Sequence, residues 1–135
     1  MKKLCVVFIV MFVLAMAGNA NAEVATSDGK GLLTVCNVAL KSITDGMDNL
    51  SDLELMNSSF CIGLAVGIKV SNVMEQASAD DNLQYCIPSS ASPEQLIRVL
   101  VKYLENHPEN LHETPAVLIS VAFIKAFPCK KGAKK

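Results

Sequence analysis

Four cysteines, at positions 36, 61, 86 and 129, constrain what this 135-residue chain can fold into more than any other feature. Their redox state follows from the N-terminus. Lys2 and Lys3 precede an unbroken apolar run over residues 4–17, and Ala20, Asn21 and Ala22 supply the small residues of a cleavage site. That three-part pattern is a secretory signal, with cleavage expected after Ala22. The apolar run is shorter than the roughly 20 residues that span a bilayer. Cys5 leaves with the signal, and no cysteine stands at the cleavage site to carry a lipid. An even number of cysteines in an exported chain reads as two disulfides. A zinc site would need closely spaced ligands, and neither a C-x-x-C nor an H-x-x-x-H pair is present.

The expected organisation is a signal over residues 1–22, a flexible polar leader over 23–30, one helical domain over 31–129 and a disordered basic tail over 130–135. Without Lys2 and Lys3 the 12 basic groups fall to 10 against 13 acidic ones, a net charge of −3. That balance gives nucleic acid no footing, and no basic amphipathic helix points to a membrane surface. Trp is absent, so stacking platforms for bases or sugars are not expected.

Apolar residues recur at helical spacing from Leu32 through Val35, Cys36, Ala39, Leu40 and Ile43, and Gly46 offers a C-terminal cap. Ser51 and Glu54 form a capping box that opens a second helix. Asn57, Ser58 and Ser59 leave open whether that helix runs through or restarts. Residues 60–70 are apolar up to Lys69, and Gly63 and Gly67 lie one turn apart, which invites close approach by another helix. An acidic loop with Asp80 and Asp81 spans 77–85. Ser92, Pro93 and Gln95 open a third helix whose buried stripe is Leu96, Val99, Leu100, Tyr103 and Leu104, with Arg98, Lys102 and Glu105 facing away. His107 and Pro108 end it. Thr114 and Pro115 open a fourth, apolar nearly all round, which belongs in the core or under a partner chain. No stretch alternates long enough for a strand. The fold class is therefore all-α, a single-domain antiparallel bundle of four main helices stapled by two disulfides.

That architecture selects among the three possible pairings. Cys36 lies ten residues before Gly46 and Cys61 ten after Ser51, so an antiparallel hairpin sets them at one height. Cys86 precedes the third helix and Cys129 follows the fourth. The expected bridges are Cys36–Cys61 and Cys86–Cys129.

Catalysis needs a nucleophile, base or metal in a convergent pocket. Both histidines, His107 and His112, fall between helices three and four, near Glu105, Glu109 and Glu113, without ligand spacing. The cysteines are committed to bridges, and no nucleophile elbow or phosphate loop is present. The reading is a non-enzyme with no catalytic residue, no metal and no cofactor. Two contact surfaces remain. One is the loop between helices three and four. The other is whichever face of helix two or four stays exposed, where apolar excess favours a homodimer.

Several blocks carry a resemblance to a known family: Phe60-Cys61-Ile62-Gly63 with Gly67 following, Cys86-Ile87-Pro88, Gln95-Leu96, the run Tyr103-Leu104-Glu105-Asn106-His107-Pro108-Glu109, and Ala126-Phe127-Pro128-Cys129. In this order, over residues 31–129, the chain resembles the Rap/Tai family of type VI secretion system immunity proteins, which inhibit amidases in the periplasm. It departs at Leu64, where an aromatic is expected. The resemblance implies a periplasmic, homodimeric protein that binds a secreted peptidoglycan amidase effector and occludes its active site with a protruding loop. Carried onto this chain, the partner-binding residues are His107, Glu109, Asn110, Leu111, His112 and Glu113, with the loop over 77–85 as the other candidate. A different class stands beside it: small helical disulfide-bonded periplasmic proteins include acid-stress chaperones of the Hde type, which expose apolar surface at low pH.

Overall fold

The structure, a computed structural model, describes residues 26–77 and 85–129. The signal, most of the leader, the acidic loop and the basic tail lie outside the described residues. Four α-helices follow in order: α1 over Gly29–Asp45, α2 over Asp52–Ala77, α3 over Pro93–Asn106 and α4 over Pro115–Ala126, with a 3-10 turn at Pro108–Asn110. Among the described residues there is no strand.

α1 begins one turn earlier than its apolar stripe suggests. Asp28 is its N-cap and accepts from the Gly31 amide at 2.9 Å, so Gly29 and Lys30, which the sequence places in the leader, are helical. Gly46 closes it at φ 87°, donating its amide to the Ser42 carbonyl at 3.1 Å. Leu32, Val35, Cys36 and Ala39 form its buried face. Burying a side chain such as Leu32 stabilises by about 1.5–3 kcal/mol.

α2 is capped as its sequence requires: the Glu54 amide donates to Ser51 Oγ at 3.3 Å, and the Ser51 amide donates to the Glu54 carboxylate at 3.0 Å. The Ser51 amide, together with the Ser51 hydroxyl donating to the same carboxylate at 2.8 Å, holds the Glu54 carboxyl below its ordinary range. Asn57, Ser58 and Ser59 do not interrupt it. Ser58 is instead buried against α1, its hydroxyl 2.6 Å from that of Ser42. Ser42 donates to the Ala39 carbonyl at 2.8 Å, so its single proton is used and Ser58 is the donor between them.

Both expected disulfides are present. Cys36–Cys61 locks α1 to α2 with Cα atoms 5.3 Å apart, and Cys86–Cys129 joins the entry to α3 with the exit from α4 at 4.9 Å. Beside the second bridge, the Cys86 amide donates to the Phe127 carbonyl at 2.8 Å. Asn72, buried on α2, holds the segment that leads into α3: it donates to the Tyr85 carbonyl and accepts from the Ile87 amide, each at 2.8 Å.

α3 packs against α1, α2 and α4 and is the centre of the bundle. Its buried face is wider than the sequence stripe, since Ile97 and Val101 join Leu96, Leu100, Tyr103 and Leu104 while Val99 is half-buried. α4 contributes Leu118, Ile119, Ala122 and Phe123 to the core and leaves Val117 exposed. A Cβ added at Gly63 or Gly67 would meet nothing within 4 Å, so no helix among the described residues makes the close approach expected there. α1 packs on the opposite face of α2, through Cys61 and Ala65.

Candidate functional site

The loop over residues 107–114 begins where α3 runs out. His107 adopts φ −131°, and Pro108 starts the 3-10 turn. Three short bonds fold the loop on itself: Asn110 amide to His107 carbonyl at 3.0 Å, Leu111 amide to Pro108 carbonyl at 3.3 Å, and Glu113 amide to Asn110 carbonyl at 2.9 Å. Pro115 then restarts the helix, although the Thr114 side chain makes no capping bond.

The loop is not a free tip. The start of α1 closes onto it: the Gly29 amide donates to the Glu113 carbonyl at 3.0 Å and the Lys30 amide to the Leu111 carbonyl at 3.3 Å. The first amides of a helix have no partner inside it, so here loop carbonyls serve two of them. Gly29 is buried, and a Cβ there would lie 2.3 Å from Leu118 Cδ1 and 3.0 Å from the Leu111 Cα. A side chain at this position therefore pushes against both the loop and the core.

These contacts sort the six candidate residues. Leu111 is half-buried and packs on the core cluster, and Asn110 is half-buried. His107 is tethered to α3. Its Nδ1 lies 2.8 Å from the Tyr103 carbonyl, which only accepts, so Nδ1 carries the proton. Its ring stacks on Tyr103 at 4.2 Å. Lys125, in the last turn of α4, sits 5.0 Å above the Tyr103 ring and 3.5 Å from His107 Nε2. Glu109, His112 and Glu113 are exposed, with His112 Nε2 3.4 Å from the Glu113 carboxylate. The structure thus brings all six together on one loop but presents only three of them outward. The other candidate loop, 77–85, falls almost wholly outside the described residues.

Among the described residues, no three His, Cys, Asp or Glu side chains cluster as a metal site, and the four cysteines are bridged. No carboxylate among them is buried. What the loop offers is a pinned backbone with two carboxylates and an imidazole aimed at solvent, the makings of a contact surface on a rigid scaffold. The sequence pattern did not single out Asp28 and Gly29. Their one signal is an Asp at N-cap position followed by glycine, obscured because Gly29 and Gly31 weaken helix propensity.

Compared with known proteins, residues 28–129 match the family model described as Rap1a immunity proteins. No curated protein and no solved structure matches the chain.

Proposed function

Because the chain belongs to the Rap1a immunity protein family, we propose that it protects the periplasm by occluding the cleft of one cognate type VI effector, a peptidoglycan amidase. The signal is removed after Ala22, the mature protein is periplasmic, and it acts by binding, not as an enzyme. The observation that carries this reading is the loop over 107–114, pinned by the Gly29 and Lys30 amides while Glu109, His112 and Glu113 remain exposed. A pre-ordered loop loses little freedom on docking, which favours affinity. Its acidic and imidazole groups can pair with polar groups in the cleft of such an amidase. The mature protein works as a homodimer, with the exposed apolar face of α2 as the surface between copies.

The acid-chaperone alternative gains no support from the interior. A strong low-pH trigger needs carboxylates that burial or pairing ties to the folded state; none of the described ones is buried, and Glu54, held below its ordinary range by Ser51, is tied only to the first turn of its own helix. Replacing residues 106–114 with a Gly/Ser linker tests the proposal. Protection against the effector is expected to vanish while the helical spectrum persists, and undiminished protection would move the site elsewhere.

A further inference from the structure

The two disulfides stand in different surroundings. Cys36 and Cys61 are 0% and 1% exposed, each within a helix and inside the core cluster. Cys86 and Cys129 are only half-buried, one ahead of α3 and the other past the end of α4. A disulfide opens when a thiolate attacks one of its sulfurs, so access to sulfur decides which bridge can react while the chain stays folded.

What surrounds the more exposed bridge does not depend on it. Asn72 donates to the Tyr85 carbonyl and accepts from the Ile87 amide, and Gln76 donates to the Ile87 carbonyl at 3.0 Å, so α2 holds Cys86 from both sides. On the other strand of chain, the Phe127 amide donates to the Phe123 carbonyl and the Phe127 carbonyl accepts from the Cys86 amide, both at 2.8 Å. The rings of Tyr85 and Phe127 flank Phe123, at 5.7 and 5.9 Å between centroids. Hydrogen bonds and aromatic packing therefore keep the entry to α3 beside the exit from α4 when the sulfurs part. The Cys36–Cys61 bridge has no such independence, since a reagent reaches it only after α1 and α2 separate.

We propose that Cys86–Cys129 is a reversible thiol-exchange site of the folded protein, with a dithiol as its reaction partner, and that Cys36–Cys61 is closed to exchange in the same state. The residues after Cys129 are Lys130 and Lys131, and cations beside a thiolate favour it, so Cys129 is the better leaving group. One thiolate of the dithiol attacks Sγ of Cys86; a mixed disulfide forms there and Cys129 departs as thiolate. The second thiolate of the dithiol attacks its own partner sulfur in that mixed disulfide and expels the Cys86 thiolate. The dithiol is oxidised to a disulfide, the cystine is reduced by two electrons, and the two protons of the dithiol pass to the two cysteines. The reduced chain keeps its thiols adjacent and re-forms the bridge when an oxidant disulfide returns. The fold thus carries one bridge that follows the thiol balance around it and one that does not. This stands apart from the effector reading, because it concerns the exit of α4 and not the loop over 107–114.

The mature protein with both bridges formed is incubated with dithiothreitol at neutral pH, quenched over time with iodoacetamide and mapped by peptide mass spectrometry. Alkylation should appear first on Cys86 and Cys129 together. Its initial rate should exceed that at Cys36 and Cys61 at least about a hundredfold, because a core bridge reacts only in opened states that a stable domain populates below about one part in a thousand. At that stage the helical spectrum should persist and the melting temperature should be lower, and oxidised glutathione should restore the bridge and the melting temperature. Cys86→Ser with Cys129→Ser should remain helical and consume no dithiol over the same interval. Reduced thioredoxin, run in parallel, separates the sources: opening by both reagents supports the site with a protein dithiol as partner, and opening by dithiothreitol alone supports it with a small thiol. Equal rates at the two bridges, earlier alkylation of Cys36 and Cys61, or alkylation of Cys86 and Cys129 only as the helical signal disappears would overturn the proposal. A double-serine variant that consumes dithiol at the wild-type rate would overturn it as well.

Discussion

Gly29→Ala is the sharpest probe of how this fold presents its loop. The added Cβ would sit 2.3 Å from Leu118 Cδ1 and 3.0 Å from the Leu111 Cα. The leucine methyl can turn aside, although Leu118 is 2% exposed and its neighbours are close-packed. The Leu111 backbone has no such freedom and must move by a few tenths of an ångström. Overpacking of this kind costs about 1–3 kcal/mol. Weakening the two amide bonds to Glu113 and Leu111 adds about 0.5–1.5 kcal/mol each at most. Alanine returns up to about 1 kcal/mol through backbone entropy. The net expectation is a loss of about 1–3 kcal/mol, small enough for a domain of ordinary stability to remain folded. Urea unfolding reads the total, and amide exchange locates it. The Gly29 and Lys30 amides should exchange faster while those in the middle of α3 stay protected. Effector affinity should fall as the loop loses its fixed shape. A variant with wild-type exchange at those two amides and wild-type affinity would refute the idea that α1 holds the loop.

Other perturbations have equally definite outcomes. Asn72→Leu removes the partner of the Ile87 amide and the Tyr85 carbonyl, and at about 1–3 kcal/mol for each buried group left unpaired it should lower the urea midpoint markedly. Replacing Cys86 and Cys129 together by Ser opens a 43-residue loop and should cost about 2–4 kcal/mol in the same assay. Burial, with the Glu75 carboxylate second, raises the Tyr85 phenol above its ordinary value. A raised folded value means its contribution is complete below the unfolded value of about 10 and fades as pH climbs through the folded one. Stability measured against pH should decline there, less so in Tyr85→Phe.

How much of this was legible beforehand depends on the range of the interaction. Capping at Ser51 and the turn at Gly46 are local, and both stand as their residues require. The disulfides were legible because helix length sets cysteine height, and helix length is itself a sequence property. Ser58 was not: a serine reads as a helix breaker until the Ser42 hydroxyl, sixteen residues away, is brought beside it. The loop could be found by its position between helices, but its division into outward and inward residues could not. That division comes from α1 meeting residues 111–113, a contact between the two ends of the domain that no local pattern announces. Gly63 and Gly67 were read as a packing signal, and among the described residues nothing packs on them, because α1 meets α2 on its other face.

Whether Glu109, His112 and Glu113 make the contact with the effector decides the proposed function. Isothermal titration of the mature protein with its cognate effector, the proposed amidase, beside the triple alanine variant, measures this directly. The variant should keep its melting temperature, because all three side chains are exposed, and should bind at least about 30-fold more weakly, the roughly 2 kcal/mol that marks a binding hot spot. Equal affinity for the two proteins would contradict the assignment.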